Sequence, residues 1–100
     1  MRSIVVSMQN MLLSEAVART LAETGEFRVE QVLPGKTSDT FSLCRVMQAD
    51  ILLMEVSRLP AYTLENRLNL IACVRKVMPS CKFVLLCDEN VDPELAHRVM

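Results

Sequence analysis

Ala49-Asp50-Ile51-Leu52-Leu53-Met54-Glu55-Val56 is the stretch on which the reading of this chain turns. It is apolar on both of the alternating faces that a strand presents, which suits a strand covered by helices on either side. The run delivers one carboxylate, Glu55, close to its far end. Ligands of open parallel sheets sit just beyond the carboxyl ends of the strands, so Glu55 stands where a reactive group would stand.

Toward the amino terminus, Ile4-Val5-Val6 is a short β-branched run. The stretch from Asn10 to Glu23 then places Leu13, Val17 and Leu21 on one helical face with Ala16 beside them, which predicts strand followed by helix. Gly25 closes that helix, and Phe27 to Leu33 alternates apolar with polar as an edge strand does. Pro34-Gly35 makes a turn, and Thr37 or Ser38 caps a helix carrying Phe41, Leu43, Cys44 and Met47. Toward the carboxyl terminus, a loop from Ser57 to Tyr62 leads to Thr63, the cap of a long helix with Leu64, Leu68, Ile71, Val74 and Met78 on one face and Pro79 as its stop. Cys81 to Cys87 reads as another buried strand, and Asp92-Pro93-Glu94 opens a last helix. Strands alternating with helices predict an α/β fold, a three-layer open parallel sheet, formed as one domain over residues 1–100.

Half of the 100 residues are hydrophobic, enough for a single core. With a net charge of -1 and no basic run longer than Arg75-Lys76, nucleic acid is not an expected partner. No apolar stretch approaches the roughly 20 residues that cross a bilayer, and Met1 to Val6 lacks a secretory cleavage pattern. No membrane association is expected, and the chain reads as cytoplasmic. Cys44, Cys73, Cys81 and Cys87 form no Cys-x-x-Cys pair and read as buried thiols rather than disulfides or a metal site. Methionines scatter over several elements as core filling, and His97 reads as a surface residue. With no glycine-rich phosphate loop, no Gly-x-Ser-x-Gly elbow and no His-Glu-x-x-His helix, the chain does not read as an enzyme.

In order along the chain, Ile4-Val5-Val6-Ser7-Met8-Gln9-Asn10-Met11-Leu12, Ala49 to Val56, Arg58-Leu59-Pro60 and Val84-Leu85-Leu86-Cys87 resemble pieces of the receiver domains of two-component response regulators. They correspond to the first strand and acidic loop, the third strand ending in the phosphoacceptor, the loop after it, and the strand ending in Thr or Ser. The resemblance implies a flavodoxin-like, CheY-like sheet of strand order 2-1-3-4, with the family's fifth strand, its lysine and the last helix lying outside this chain. It puts Glu55 at the phosphoacceptor position, Ser7 and Met8 at the acidic-pocket positions and Cys87 at the switch-hydroxyl position.

Phosphoryl transfer to a carboxylate relies on a divalent ion held by oxygen ligands. Ser7 and Met8 bring a hydroxyl and a thioether, neither of which replaces a carboxylate for magnesium. The resemblance therefore implies a pseudo-receiver with no catalytic residue, no metal site and no cofactor, Mg2+ included. Such a module acts through protein contacts, with a histidine kinase or an output domain as partner, as the amino-terminal regulatory domain of a bacterial transcriptional or signalling regulator. Two other readings stay open: an active phosphoacceptor using Glu55, Asp50 or Asp88, and a small-molecule sensor built around Ser7, Glu55 and Asp88. Glu55 either imitates a phosphorylated state or is a solvated strand-end residue. Cys87, beside Asp88 and Glu89, reads as core packing rather than a reactive thiol, since adjacent carboxylates suppress the thiolate. The apolar run Lys82 to Cys87 is expected as an outer strand, covered either by a fifth strand of a longer polypeptide or by a second copy through edge pairing or exchange, which would make a homodimer.

Overall fold

Strands and helices alternate as the apolar runs predict. In this computed structural model, which describes residues 1–33 and 39–87, they are β1 (Arg2–Ser7), α1 (Met11–Glu23), β2 (Phe27–Val32), α2 (Thr40–Met47), β3 (Ile51–Val56), a 3-10 turn (Pro60–Tyr62), α3 (Leu64–Val77) and β4 (Lys82–Cys87). All pairings are parallel and the strand order is β2-β1-β3-β4, an α/β flavodoxin-like arrangement. In the register, Ser7 lies between Val32 and Met54, and Glu55 lies beside Leu86. The carboxyl ends of the two central strands thus stop side by side.

The sheet has a core on each face. Val5, Leu52 and Met54 pack with Cys44 of α2 and with Ile71 and Val74 of α3. On the other face Ile4, Val6 and Met8 pack with Leu21 of α1, with Phe27 and Val29 of β2 and with Ile51 and Leu53 of β3. Because strand side chains alternate, Ser7 belongs to the first face and its neighbour Met8 to the second.

The helix ends follow local chemistry. Asn10 caps α1 by accepting the Leu13 N–H at 3.1 Å, and Thr63 caps α3 by accepting that of Asn66 at 3.3 Å. Gly25 follows α1 at φ +74°, the left-handed region that a residue without Cβ enters without strain. α2 also ends on a left-handed residue, but this is Gln48 at φ 52°, which nothing in the residue type announces. Its N-cap is Asp39, which makes no side-chain cap bond. Thr37, Ser38, the Pro34-Gly35 turn, the helix from Asp92 and His97 lie outside the described residues.

Four expectations need correction. α1 is rotated from the predicted face: Ser14 and Ala18 are buried while Leu13 is 44% exposed. α3 buries Arg67, Ile71 and Val74, leaving Leu68 39% exposed. β4 is only half covered, with Val84 37% and Leu86 38% exposed. Among the cysteines Cys44 and Cys81 are buried, but Cys73 and Cys87 are exposed, so Cys87 is not a core residue.

Candidate functional site

The ends of β1 and β3 are joined by a side chain from α3. Arg67 lies in the first turns of that helix, where its N–H bonds to the Thr63 carbonyl at 3.0 Å. Its guanidinium reaches down between the strand ends and is only 2% exposed. Nε donates to the Glu55 carbonyl at 3.0 Å, Nη1 to Ser7 Oγ at 3.1 Å and Nη2 to the Ser7 carbonyl at 2.9 Å. The planar fork of arginine suits this task because it offers donors to several acceptors at fixed angles. Since Ser7 Oγ accepts from Arg67, its own proton is available to Thr40 Oγ1, 3.4 Å away at the start of α2. Ser7 and Thr40 are both fully buried.

Tyr62 closes the site from the loop after β3. The Ser57 N–H bonds to the Tyr62 carbonyl and the Tyr62 N–H to the Leu59 carbonyl, which fixes the turn. Its ring then lies against the guanidinium, 4.6 Å from the Arg67 carbon to the ring centroid, a cation–π contact. Burial pulls the Arg67 guanidinium below its ordinary value, with Tyr62 and Glu55 pushing the other way. Burial raises the Tyr62 phenol, an effect opposed by Arg67 and reinforced by Glu55. Among the described residues Arg67 forms no ion pair and Tyr62 Oη finds no hydrogen-bond partner. The positive charge is therefore held by carbonyls, a hydroxyl and a ring.

The Glu55 side chain turns to the opposite face of the sheet, toward α1. Its Oε1 accepts the backbone N–H of Gln9 at 2.8 Å and of Asn10 at 3.3 Å. The carboxylate thus sits at the positive end of α1, where helix N–H groups lack partners and negative charge is favoured. Through Oε1 it anchors the β1–α1 loop.

Of the residues expected at the site, Ser7 and the backbone carbonyl of Glu55 are brought together through Arg67, while the Glu55 carboxylate lies on the other face. Met8 is not: it is buried in the α1-side core with Ile4 and Val6. Cys87 ends β4 beside Val56, two strands away from Ser7. Asp50 stands at the other end of β3, its Oδ2 accepting the Ser3 N–H at 2.8 Å, so it cannot act at the carboxyl-end site. Asp88 lies outside the described residues. Among the described residues no group of three or more His, Cys, Asp and Glu is placed to hold a metal ion.

Sequence reasoning missed Arg67, Tyr62 and Thr40. A signal for Arg67 was present: it occupies the helical register of Ile71 and Val74, a lone cation in an apolar stripe. Comparison with known proteins adds no relative, since neither a family model nor a curated protein matches the sequence.

Proposed function

We propose that the chain is a non-catalytic signalling module of receiver type, a pseudo-receiver that acts through contacts with other proteins as the regulatory domain of a transcriptional or signalling regulator. Arg67 is the observation that carries this reading. The parallel sheet of order 2-1-3-4 supports the analogy, but an analogy of fold does not specify a function.

In a phosphate-accepting receiver, a divalent ion neutralises charge as the phosphoryl group moves to the carboxylate. Here the acceptor oxygens at the ends of β1 and β3 are committed to a guanidinium. A divalent ion beside that fixed charge would meet a repulsion of about 4 kcal/mol for each unit of its charge at roughly 4 Å and an effective dielectric of 20. The other reactive position is committed too, with the Glu55 carboxylate bound to the loop that precedes α1. The Arg67 guanidinium and the Glu55 side chain tie the strand ends and the loop together, an arrangement the module reaches without phosphorylation.

Protein contact is supported by the first turn of α1, directly after the Glu55-anchored loop. Met11, Leu12 and Leu13 are consecutive exposed apolar residues there, Leu12 at 82%. Incubation with magnesium and a small phosphodonor, followed by intact-mass measurement, tests the proposal. The expected result is an unchanged mass; a phosphoryl adduct that disappears in Glu55→Gln overturns it.

A further inference from the structure

Two apolar surfaces of the chain face water on the same side of the sheet. α1 lies over β1 and β2 and leaves the β3–β4 half of that side largely open. In the register Lys82 stands beside Ile51, Val84 beside Leu53 and Leu86 beside Glu55, all directed to the α1 side. The open strip is thus apolar along its middle, with Lys82 at the amino end of the strands and Glu55 at the carboxyl end, and Val84 and Leu86 are 37% and 38% exposed. The second surface is the crest of α1 opposite its buried Ser14 and Ala18. Helical spacing sets Leu12, Ala16, Arg19 and Glu23 in a row along that crest, all of them exposed.

Size and charge select the occupant of the strip. Two strands about 4.8 Å apart make a floor roughly 10 Å wide, the width of one helix. The six residues of β4 and the thirteen of α1 both span roughly 20 Å. A helix running antiparallel to the strands sets its positive end at Glu55 and its negative end at Lys82, whereas the reverse direction opposes both charges. α1 is a helix of that direction, since it returns between two parallel strands and begins at the Glu55 carboxylate. Laid on the strip of a second copy, its crest sets Leu12 at the level of Leu86 and Glu23 at Lys82, and small Ala16 lets the helix approach Leu53 and Val84. Among the described residues neither Glu23 nor Lys82 forms an ion pair, while Arg19 is held by Glu15 at 3.5 Å. A second copy therefore supplies an occupant matched in length, direction and charge.

We propose that the chain forms a two-fold dimer in which α1 of each copy lies on the β3–β4 strip of the other. The axis runs parallel to the strands, which keeps α1 in the direction that the charges require and makes the contact isologous. Each α1 is enclosed between its own β1–β2 and the β3–β4 of the second copy, so the two helices lie side by side in one layer between two sheets. Leu12, Val84 and Leu86 lose their exposure together in both copies, and Glu23 meets Lys82 twice. The dimer names one partner for the α1 surface and rests on the protein-contact reading given above.

Analytical ultracentrifugation of the 11.3 kDa chain over a wide concentration range tests the proposal. A concentration-dependent mass of two chains is expected, and a monomer throughout overturns it, including one whose strip is shielded from hydrogen exchange by residues 88–100 of the same chain. Leu12 is 82% exposed, so Leu12→Asp is expected to give a folded monomer by circular dichroism; a dimer that survives it refutes the interface. Lys82→Glu and Glu23→Lys each set like charges at both symmetry-related contacts and are expected to weaken the dimer about tenfold, while the two together restore it. Failure of that exchange to restore the dimer refutes the pairing. Ala16→Cys combined with Val84→Cys adds a geometric check, because the two positions face apart within one chain and meet only between copies. Mild oxidation is expected to link position 16 of one copy to position 84 of the other, and mass mapping that finds no such link overturns the arrangement. A monomer that also takes no phosphoryl group from the small phosphodonor refutes the dimer and leaves the pseudo-receiver reading standing.

Discussion

Removing the Arg67 guanidinium perturbs the site at its centre. Arg67→Ala deletes three donated bonds, to the Glu55 carbonyl, Ser7 Oγ and the Ser7 carbonyl. Bonds from a charged donor contribute about 1.5–3 kcal/mol each, and the acceptors they leave are buried at the strand ends. Opposing this is the cost of keeping an unpaired cation out of water, several kcal/mol even after relaxation. The expected net loss is about 2–4 kcal/mol, a large part of the roughly 5–15 kcal/mol that holds a domain together. Arg67→Lys separates charge from geometry, because a single ammonium cannot span the Glu55 carbonyl and both Ser7 oxygens as the fork does. It is expected to lose about half as much as alanine. Urea unfolding followed by circular dichroism gives both numbers, with unchanged m-values certifying that the comparison is of stability alone. A Ser7→Ala, Arg67→Ala double-mutant cycle should return a coupling of about 1–2 kcal/mol. If Arg67→Ala lies within about 0.5 kcal/mol of the parent, or Arg67→Met is more stable than it, desolvation cancels the bonds and the clamp is refuted.

The remaining expectations concern residues around this centre and in the core. Glu55→Gln keeps an oxygen for the Gln9 and Asn10 N–H groups but loses the charge at the start of α1, so it should cost about 0.5–1 kcal/mol and Glu55→Ala about 1–2 kcal/mol in thermal unfolding. A glutamine variant more stable than the parent contradicts the anchor. Burial, reinforced by Cys81, pushes the Cys44 thiol up from 9.0 to about 12. Folding thus favours the protonated thiol: its contribution is complete below pH 9 and is lost as pH rises toward 12, with a slope of at most ~1.4 kcal/mol per pH unit, and Cys44→Ala should flatten the alkaline limb. Gly25→Ala meets no atom within 4 Å, so its cost of about 1 kcal/mol is expected from the positive φ alone; a neutral result would mean the turn relaxes. Tyr62→Phe keeps the ring on Arg67 and deletes a hydroxyl that has no partner among the described residues, so stability should hold or rise by up to ~1 kcal/mol, and a clear fall would reveal a partner for that oxygen.

The architecture was legible because periodicity and punctuation agree in this chain. Apolar runs marked β1, β3 and β4, alternation marked β2, and Gly25, Thr63 and Pro79 marked helix ends by residue type. Helix rotation was less legible, since α1 offers Met11, Leu12 and Leu13 in succession and small Ser14 and Ala18 give the closer approach to the sheet. Close approach selects small side chains, which hydrophobicity alone does not rank. The site was half legible. Ser7 and Glu55 fall at strand ends, which the apolar runs define, but their connection depends on Arg67, sixty residues from Ser7 and normally assigned to solvent by its charge. A residue type that is almost never buried alone is recovered only once its acceptors are seen around it.

The parting of Ser7 and Met8 to opposite faces bears on any attempt to build a phosphorylatable centre here. An aspartate at position 7 would project onto a guanidinium and neutralise it, giving a salt bridge where an ion-binding carboxylate was intended. An aspartate at position 8 would replace a thioether that is packed among Ile4 and Val6, and would either unfold that face or wrench the strand end around. Installing such chemistry would therefore require redesign of the end of β1, with its side-chain alternation, together with the first turns of α3.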